Sequence, residues 1–417
     1  MLGLLIMFIR NKKSISFAIL GHIYEHYENT LFSFIAPFIA SVFFAHSNTQ
    51  ISRIGIYLAV AAGFFIRPFG AIFFSWIGDK YGRRKALIYS VTFCVIPSTL
   101  IGFLPTYATI GVWSSILLIL SRLLQGISVG GGFYATLTFV SEAGNPAKRN
   151  LLLGVTLSMG FLGAILGTLC SSYFMSNSFG SWGWRIPFVI GAIYGAVLFY
   201  LRKLVKENKS WEKSEHSTSA IPFLEAIKVY PKNITAILLF GMGLLMPFYL
   251  VASWLPGHIM DSFHLSTSHN LFISSLLMLT AGLGIVLFSW LSRWIKAKTM
   301  LMSSCIMGIV AFFLLFKAID TQNYHLVLFT QFFVSILTAL QTTSGIILIQ
   351  TLFPMKYKFS GFAVPFSVGQ ATFVGSTPLL CEIISIYTKT PANIAYLLLL
   401  SVFLVLIGTL FSHSVKK

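Results

Sequence analysis

Charged side chains are scarce in this sequence. Only 10% of its 417 residues are Asp, Glu, Lys or Arg, where a water-soluble domain carries about 25%. Acidic residues are the rarer kind, 11 against 29 Lys and Arg. So little polar surface cannot cover a water-soluble body of this size, and lipid must replace water around most of it. Cysteine is sparse too. Cys94, Cys170, Cys305 and Cys381 each fall inside an apolar run, which argues against a disulfide framework and against a metal site. The chain contains no G-x-x-x-x-G-K-[ST] loop, so it carries no ATP-driven motor of that kind.

What it has in abundance is apolar sequence, 56% of the residues, with a mean hydropathy of +0.83. Twelve apolar runs are long enough, or nearly so, to cross a bilayer as helices of roughly 17–25 residues. They cover 15–44, 54–77, 86–103, 112–140, 151–175 and 187–204, then 234–255, 271–291, 299–316, 324–352, 359–386 and 394–411. The net charge of +18 would suggest a nucleic-acid partner in a soluble protein. Here the basic residues sit in short connections, so no nucleic-acid partner is expected and the charge is read as topology. With the N-terminus inside, 23 Lys and Arg fall in inside segments and four (Arg53, Arg185, Lys317, Lys389) fall outside. That asymmetry places both termini in the cytoplasm and fits a bacterial inner membrane. The start, Met1 to Ile9, precedes Arg10, Lys12 and Lys13. This order of charge and apolar residues is not that of a secretory signal, and an interfacial lead-in is expected.

One connection is long and polar, 202–233. It divides the chain into an N-terminal six-helix half, 1–201, and a C-terminal six-helix half, 234–417, the layout of a duplicated carrier. Trp211, Phe223 and Leu224 give this linker amphipathic stretches, so interfacial helices are expected there rather than a catalytic domain. No enzyme activity and no cofactor are indicated.

The connection after the second run reads Gly78-Asp79-Lys80-Tyr81-Gly82-Arg83-Arg84-Lys85. Gly82 permits a tight turn, Asp79 can accept from a helix N-terminus or an arginine, and Arg83 and Arg84 hold the loop inside. The fourth run carries Arg122-Leu123-Leu124-Gln125-Gly126 followed by Ser128-Val129-Gly130-Gly131. These two segments resemble the signatures of the major facilitator superfamily. Ile66-Arg67-Pro68-Phe69-Gly70, Trp182-Gly183-Trp184-Arg185-Ile186-Pro187-Phe188, Leu352-Phe353-Pro354 and Val368-Gly369-Gln370 resemble its metabolite:proton symporter branch, proline/betaine transporters above all. The resemblance implies a secondary transporter, driven by the proton gradient and acting as a monomer on a small zwitterion. A proton symporter of mono-, di- or tricarboxylates is the alternative within the branch. A receptor or scaffold descended from a transporter is the alternative of another class. The chain departs from the branch at His26 and Glu28 in the first run, and at Ser75, Gly132, Thr351 and Ser367.

Ionisable residues inside apolar runs cost several kcal/mol and are functional or paired. At about 1.5 Å per helical residue, Glu25 and Arg67 each fall about 18 Å from the inside face, and Arg122 about 15 Å from the outside face. All three are therefore expected near the midplane, where carriers bind solute. Glu25 is the expected proton-coupling carboxylate, with Glu28 on the same helix face as assistant or as part of a static pair. Arg67 is a candidate for binding a carboxylate, and Arg122 shares its face with Gln125. His26 lies in His22-x-x-Glu25-His26, a zinc-peptidase pattern set aside because no soluble domain surrounds it. A polar or proton-relaying role is expected instead. Tyr27 is a candidate for a cation–π cage with Tyr249 and Trp254. By resemblance Asp79 and Arg83, with Gly78, Gly82 and Arg84 around them, latch an inner gate, and Glu142 is a candidate partner. Glu382 is expected to snorkel or to pair with Lys389.

Overall fold

A backbone surrounded by lipid must satisfy its own hydrogen bonds, and helices do so within one segment. The computed structural model is accordingly built of helices joined by short connections over the residues it describes, 12–43, 61–143, 146–175, 177–212, 222–264, 267–388 and 391–414. The N-terminal lead-in, Arg53, Lys389 and part of the linker lie outside them. The long helices are α1 (Lys12–Phe43), α2 (Ala61–Lys80), α3 (Arg83–Phe103), α4 (Val112–Ala143), α5 (Arg149–Phe174) and α6 (Ile186–Lys203). After the linker come α7 (Pro231–Tyr249), α8 (Thr267–Leu291), α9 (Ala297–Asp320), α10 (Tyr324–Ile349), α11 (Lys358–Gly369) and α12 (Ala395–Phe411). Among the described residues, nine helices are long and apolar enough to cross a membrane.

Two of the apolar runs are interrupted rather than continuous. α7 passes through a π-turn at Leu250–Trp254 before a further helix, Leu255–Phe263. α11 passes through another at Gln370–Val374 before Thr377–Thr388. A π-turn accommodates an inserted residue and frees backbone groups, a feature that concentrates at functional sites. The linker forms the short helix Pro222–Val229 against α11 and α7.

Within the first half, α1 packs on α5, α4 and α6, and α4 packs on α2 and α3. The two halves meet along α5 with α8 and along α2 with α11. Close approach of α4 to α2 depends on glycine: a Cβ at Gly126 would overlap the Gly63 carbonyl, and one at Gly130 would overlap the Arg67 carbonyl. One end of the bundle carries Lys80, Arg83, Arg84, Lys85, Lys148, Arg149 and Lys203 and is called the basic end below. Gly130→Leu should therefore force α4 off α2 and disturb Arg67 directly. Overpacking of this kind costs about 1–3 kcal/mol or more. Thermal unfolding in detergent should show a midpoint several degrees lower, whereas Gly257→Leu, at a helical position with open space around it, should lose less.

Candidate functional site

Among the described residues four arginines and four carboxylates are buried: Arg67, Arg83, Arg122 and Arg202 with Glu25, Glu28, Asp79 and Glu142. Removing one partner from a buried pair leaves an uncompensated charge at about 3–5 kcal/mol, so their grouping organises the protein. They form three clusters.

The first lies at the basic end. The turn at Gly82, with φ of 109°, starts α3 so that Arg83 points back beneath α2. Arg83 is fully buried and donates to Asp79 at 2.5 Å, to the Gly78 carbonyl at 2.6 Å and to both oxygens of Glu142 at 3.0–3.3 Å. The same guanidinium donates to the Met355 carbonyl at 3.1 Å, and Asp79 accepts the Ser360 N–H at 2.9 Å. These two bonds join the halves, as does Ser141 donating to Gln350 at 3.0 Å. Arg84 donates its side chain to the Lys203 carbonyl at 2.7 Å, and its N–H to Glu207 at 3.0 Å. Burial pushes the Glu207 carboxyl above its ordinary range, against the pull of the N–H donors of Arg84 and Asn208. Gly78, Asp79, Gly82, Arg83, Arg84 and Glu142 are thus brought together.

The second cluster is a pair that the sequence did not suggest. Glu25 accepts from Arg202 at 3.3 Å, and Arg202 also donates to Ser90 at 3.0 Å and to the Leu87 carbonyl. Arg202 therefore belongs to a buried helix face rather than to the linker. One signal was legible: Gly191, Gly195, Leu198 and Arg202 recur at helical spacing and all are buried. Glu25 consequently sits one turn nearer the basic end than Glu28. The expected group of Glu25, Arg67 and Arg122 does not assemble.

The third cluster is the pocket. Glu28, Asn29, Gly63, Arg67, Cys94, Arg122, Gln125, Gly126 and Val129 line a cavity within the N-terminal half. Arg67 donates to Asn29 at 3.3 Å and stacks on Phe64, 3.5 Å from its ring centre. Arg122 donates to Gln125 at 2.6 Å and lies 3.8 Å above Phe32. Gln125 donates on to Ser98 at 2.6 Å. Neither Glu28 oxygen has a hydrogen bond of good geometry, and the Nε of Arg67 and of Arg122 are buried without acceptors. Glu28, rather than Glu25, therefore shares the pocket with the two arginines. Toward the junction of the halves, Phe64 meets Tyr249 edge-on at 5.2 Å, and Tyr134 donates to Gln370 at 2.8 Å.

Other expected groupings do not form. Tyr27 donates to the Pro187 carbonyl at 2.8 Å, while Trp254 stacks on His258 and donates to Glu382 at 3.0 Å. Tyr27, Tyr249 and Trp254 thus face three different partners and build no cage, and Glu382 has Trp254 as its partner. His26 turns its ring to the His22 carbonyl, 3.1 Å away, and lies near Phe133. Among the described residues no group of three or more His, Cys, Asp or Glu is arranged to hold a metal ion.

Helices from before and after the linker thus meet along α2 with α11 and α5 with α8 and enclose charged residues. The chain belongs to the major facilitator superfamily, whose sequence profile matches residues 19–376, and it is a transport protein rather than an enzyme. It is 28% identical over 400 residues to a putative proline/betaine transporter of Staphylococcus aureus (strain COL), covering 93% of this chain and 85% of that one. It is 26% identical over 389 residues to the proline/betaine transporter of Salmonella typhimurium, covering 88% and 77%. The fold superposes with a TM-score of 0.78 on the proton:xylose symporter XylE of E. coli, at 16% identity and covering 98% and 95% of the two chains.

Asp79→Asn should weaken both the Arg83 pair and the bond to Ser360. The labelling rate of a cysteine placed at Ala143, at the same end of α4, should rise at least about five-fold, the effect of a coupling of about 1 kcal/mol. Unchanged labelling would remove Asp79 from the gate.

Proposed function

We propose that this protein is a proton-coupled symporter that imports a small zwitterion of the proline or betaine kind by alternating access. The observation that carries this is the third cluster, two arginines facing a single carboxylate. With Glu28 ionised, the pocket holds one positive charge in excess. With Glu28 protonated it holds two, and an arriving carboxylate is attracted more strongly. A proton and a carboxylate therefore each favour the other's binding, and by linkage the coupling is reciprocal. This is the sign that symport requires. Arg67, stacked on Phe64 and facing the junction of the halves, is the candidate for a bidentate carboxylate contact. The cationic end of a zwitterion would then lie toward Tyr134 and Tyr249, where ring faces attract an ammonium by about 0.5–2 kcal/mol. The names of the relatives support a zwitterion over a plain carboxylate, and the excess positive charge alone fits both.

The remainder of the reading follows from the superfamily. Twelve spans in two halves rock about the central cavity, with the basic end and both termini in the cytoplasm of a bacterium, as the positive-inside rule favours. The clustered bonds among Arg83, Asp79, Glu142, Met355 and Ser360 then form the inner gate. The proton gradient is the energy source, and a monomer suffices.

Purified protein in liposomes, given a panel of zwitterions and carboxylates and an imposed pH gradient, tests this. Accumulation should follow the gradient. Glu28→Gln should abolish gradient-driven accumulation while leaving solute exchange, and Arg67→Gln should raise KM at least about ten-fold, the loss of a charge-assisted contact. If the folded protein takes up no solute of the panel, the symport reading fails and a non-transporting receptor is favoured.

A further inference from the structure

Arg202 has no part in the solute pocket or in the gate, yet it is fully buried. It lies next to the last residue of α6 and spans three helices with one guanidinium. Nη2 donates to Glu25 of α1, and Nη1 donates to Ser90 and to the Leu87 carbonyl of α3. The Ser90 carbonyl in turn accepts from Ser128 of α4 at 2.7 Å, which brings the fourth helix into the same network. Two glycines shape the slot. A Cβ at Gly21 would overlap the Arg202 guanidinium, and a Cβ at Gly132 would overlap the Glu25 carboxylate. α1 and α4 thus both lack a side chain where the pair passes. A third glycine repeats the pattern one turn on, since a Cβ at Gly191 of α6 would overlap the Glu28 carboxylate.

Glu25 and Glu28 are three residues apart on α1 and share a face. A rotation of α1 that pulls Glu25 from Arg202 therefore also moves Glu28 relative to Arg122 and Arg67, with which it lines the pocket. We infer that Arg202 is a positioning residue for transport: it grips Glu25, and the grip fixes the rotation of α1 that aims Glu28 into the two-arginine pocket. Glu25 is the handle of this grip and carries no proton in the cycle. The inference rests on Glu28 as the coupling carboxylate.

Two measurements test it together. The first is a thermal-stability cycle in detergent with E25Q, R202Q and E25Q/R202Q, and with E225Q/R202Q as control, Glu225 being paired with Lys356 away from this network. Each single change should lower the unfolding midpoint by at least about 5 °C, and the double should lose clearly less than the sum, as when both members of a buried pair are replaced. The control pair should be nearly additive. Additivity of E25Q with R202Q overturns the grip, and it does so whether or not the protein transports.

The second is the pH profile of gradient-driven uptake in liposomes. R202K keeps the charge beside Glu25 but gives up the fork that also holds Ser90 and the Leu87 carbonyl, so it should keep the wild-type midpoint while losing less uptake than R202Q. R202Q and E25Q should each shift the midpoint by about one pH unit, and E25Q/R202Q should show the same shift rather than twice that, because both changes release one grip. Uptake that becomes independent of pH in E25Q/R202Q makes Glu25 a proton carrier and overturns the inference. A wild-type midpoint in R202Q, with stability lowered, makes the pair merely structural and overturns it too. If the wild-type protein shows no gradient-driven uptake, the symport reading falls, and the stability cycle still decides the grip.

Discussion

Burying an arginine among helices surrounded by lipid is the constraint on which the rest of this structure depends. Each guanidinium offers five donors and a charge that it cannot shed. An arginine at bilayer depth must therefore find carboxylates and carbonyls inside the protein. The chain has only 11 acidic residues in all, and among the described residues four carboxylates are buried with four buried arginines. How those eight groups are shared out decides what each region does.

The sharing is uneven. At the basic end one arginine faces two carboxylates, and the surplus acceptor, Asp79, reaches across to the Ser360 N–H of the other half. Between α1 and α6 one arginine meets one carboxylate, and both are enclosed by the N-terminal half. In the pocket two arginines share a cavity with one carboxylate, and the Nε of each arginine is buried without an acceptor. The basic-end cluster suits a latch, because its surplus is spent on bonds between halves. The enclosed pair suits a strut. The pocket suits a site, because polar groups left unsatisfied in a buried cavity favour whatever ligand or proton completes them.

Much of the fold was legible in the sequence because its strongest signals are collective. A helix boundary can be read from a run of apolar residues ended by charge, as at Lys80, Lys203 and Asp320. The basic-end cluster was legible for another reason: Gly78-Asp79-Lys80-Tyr81-Gly82-Arg83 resembles the family signature, and that resemblance implied Asp79 and Arg83 together, with Glu142 as a candidate partner. The partner of Glu25 was not legible. Depth along one helix placed Glu25 beside Arg67 and Arg122, but depth says nothing about rotation about the helix axis. Glu25 turns toward α6, and Arg202 reaches inward from a helix end whose neighbours are lysines. Charge counting assigned it to the loop for that reason. The aromatic cage failed similarly, because Tyr27, Tyr249 and Trp254 were grouped by residue type, while packing gave them Pro187, Phe64 and His258 as neighbours. The π-turns of α7 and α11 left no mark in the hydropathy, since one inserted residue does not change it.

The central claim is that a proton and a carboxylate enter one pocket together. Calorimetric titration of the purified protein with a transported zwitterion, near the pH midpoint of uptake and in two buffers of different ionisation enthalpy, measures it without any gradient. Solute binding should take up a fraction of a proton from the buffer, rising toward one per solute as the pH is raised above the midpoint, and Glu28→Gln should take up none. Binding that neither takes up nor releases protons in the unsubstituted protein would contradict it.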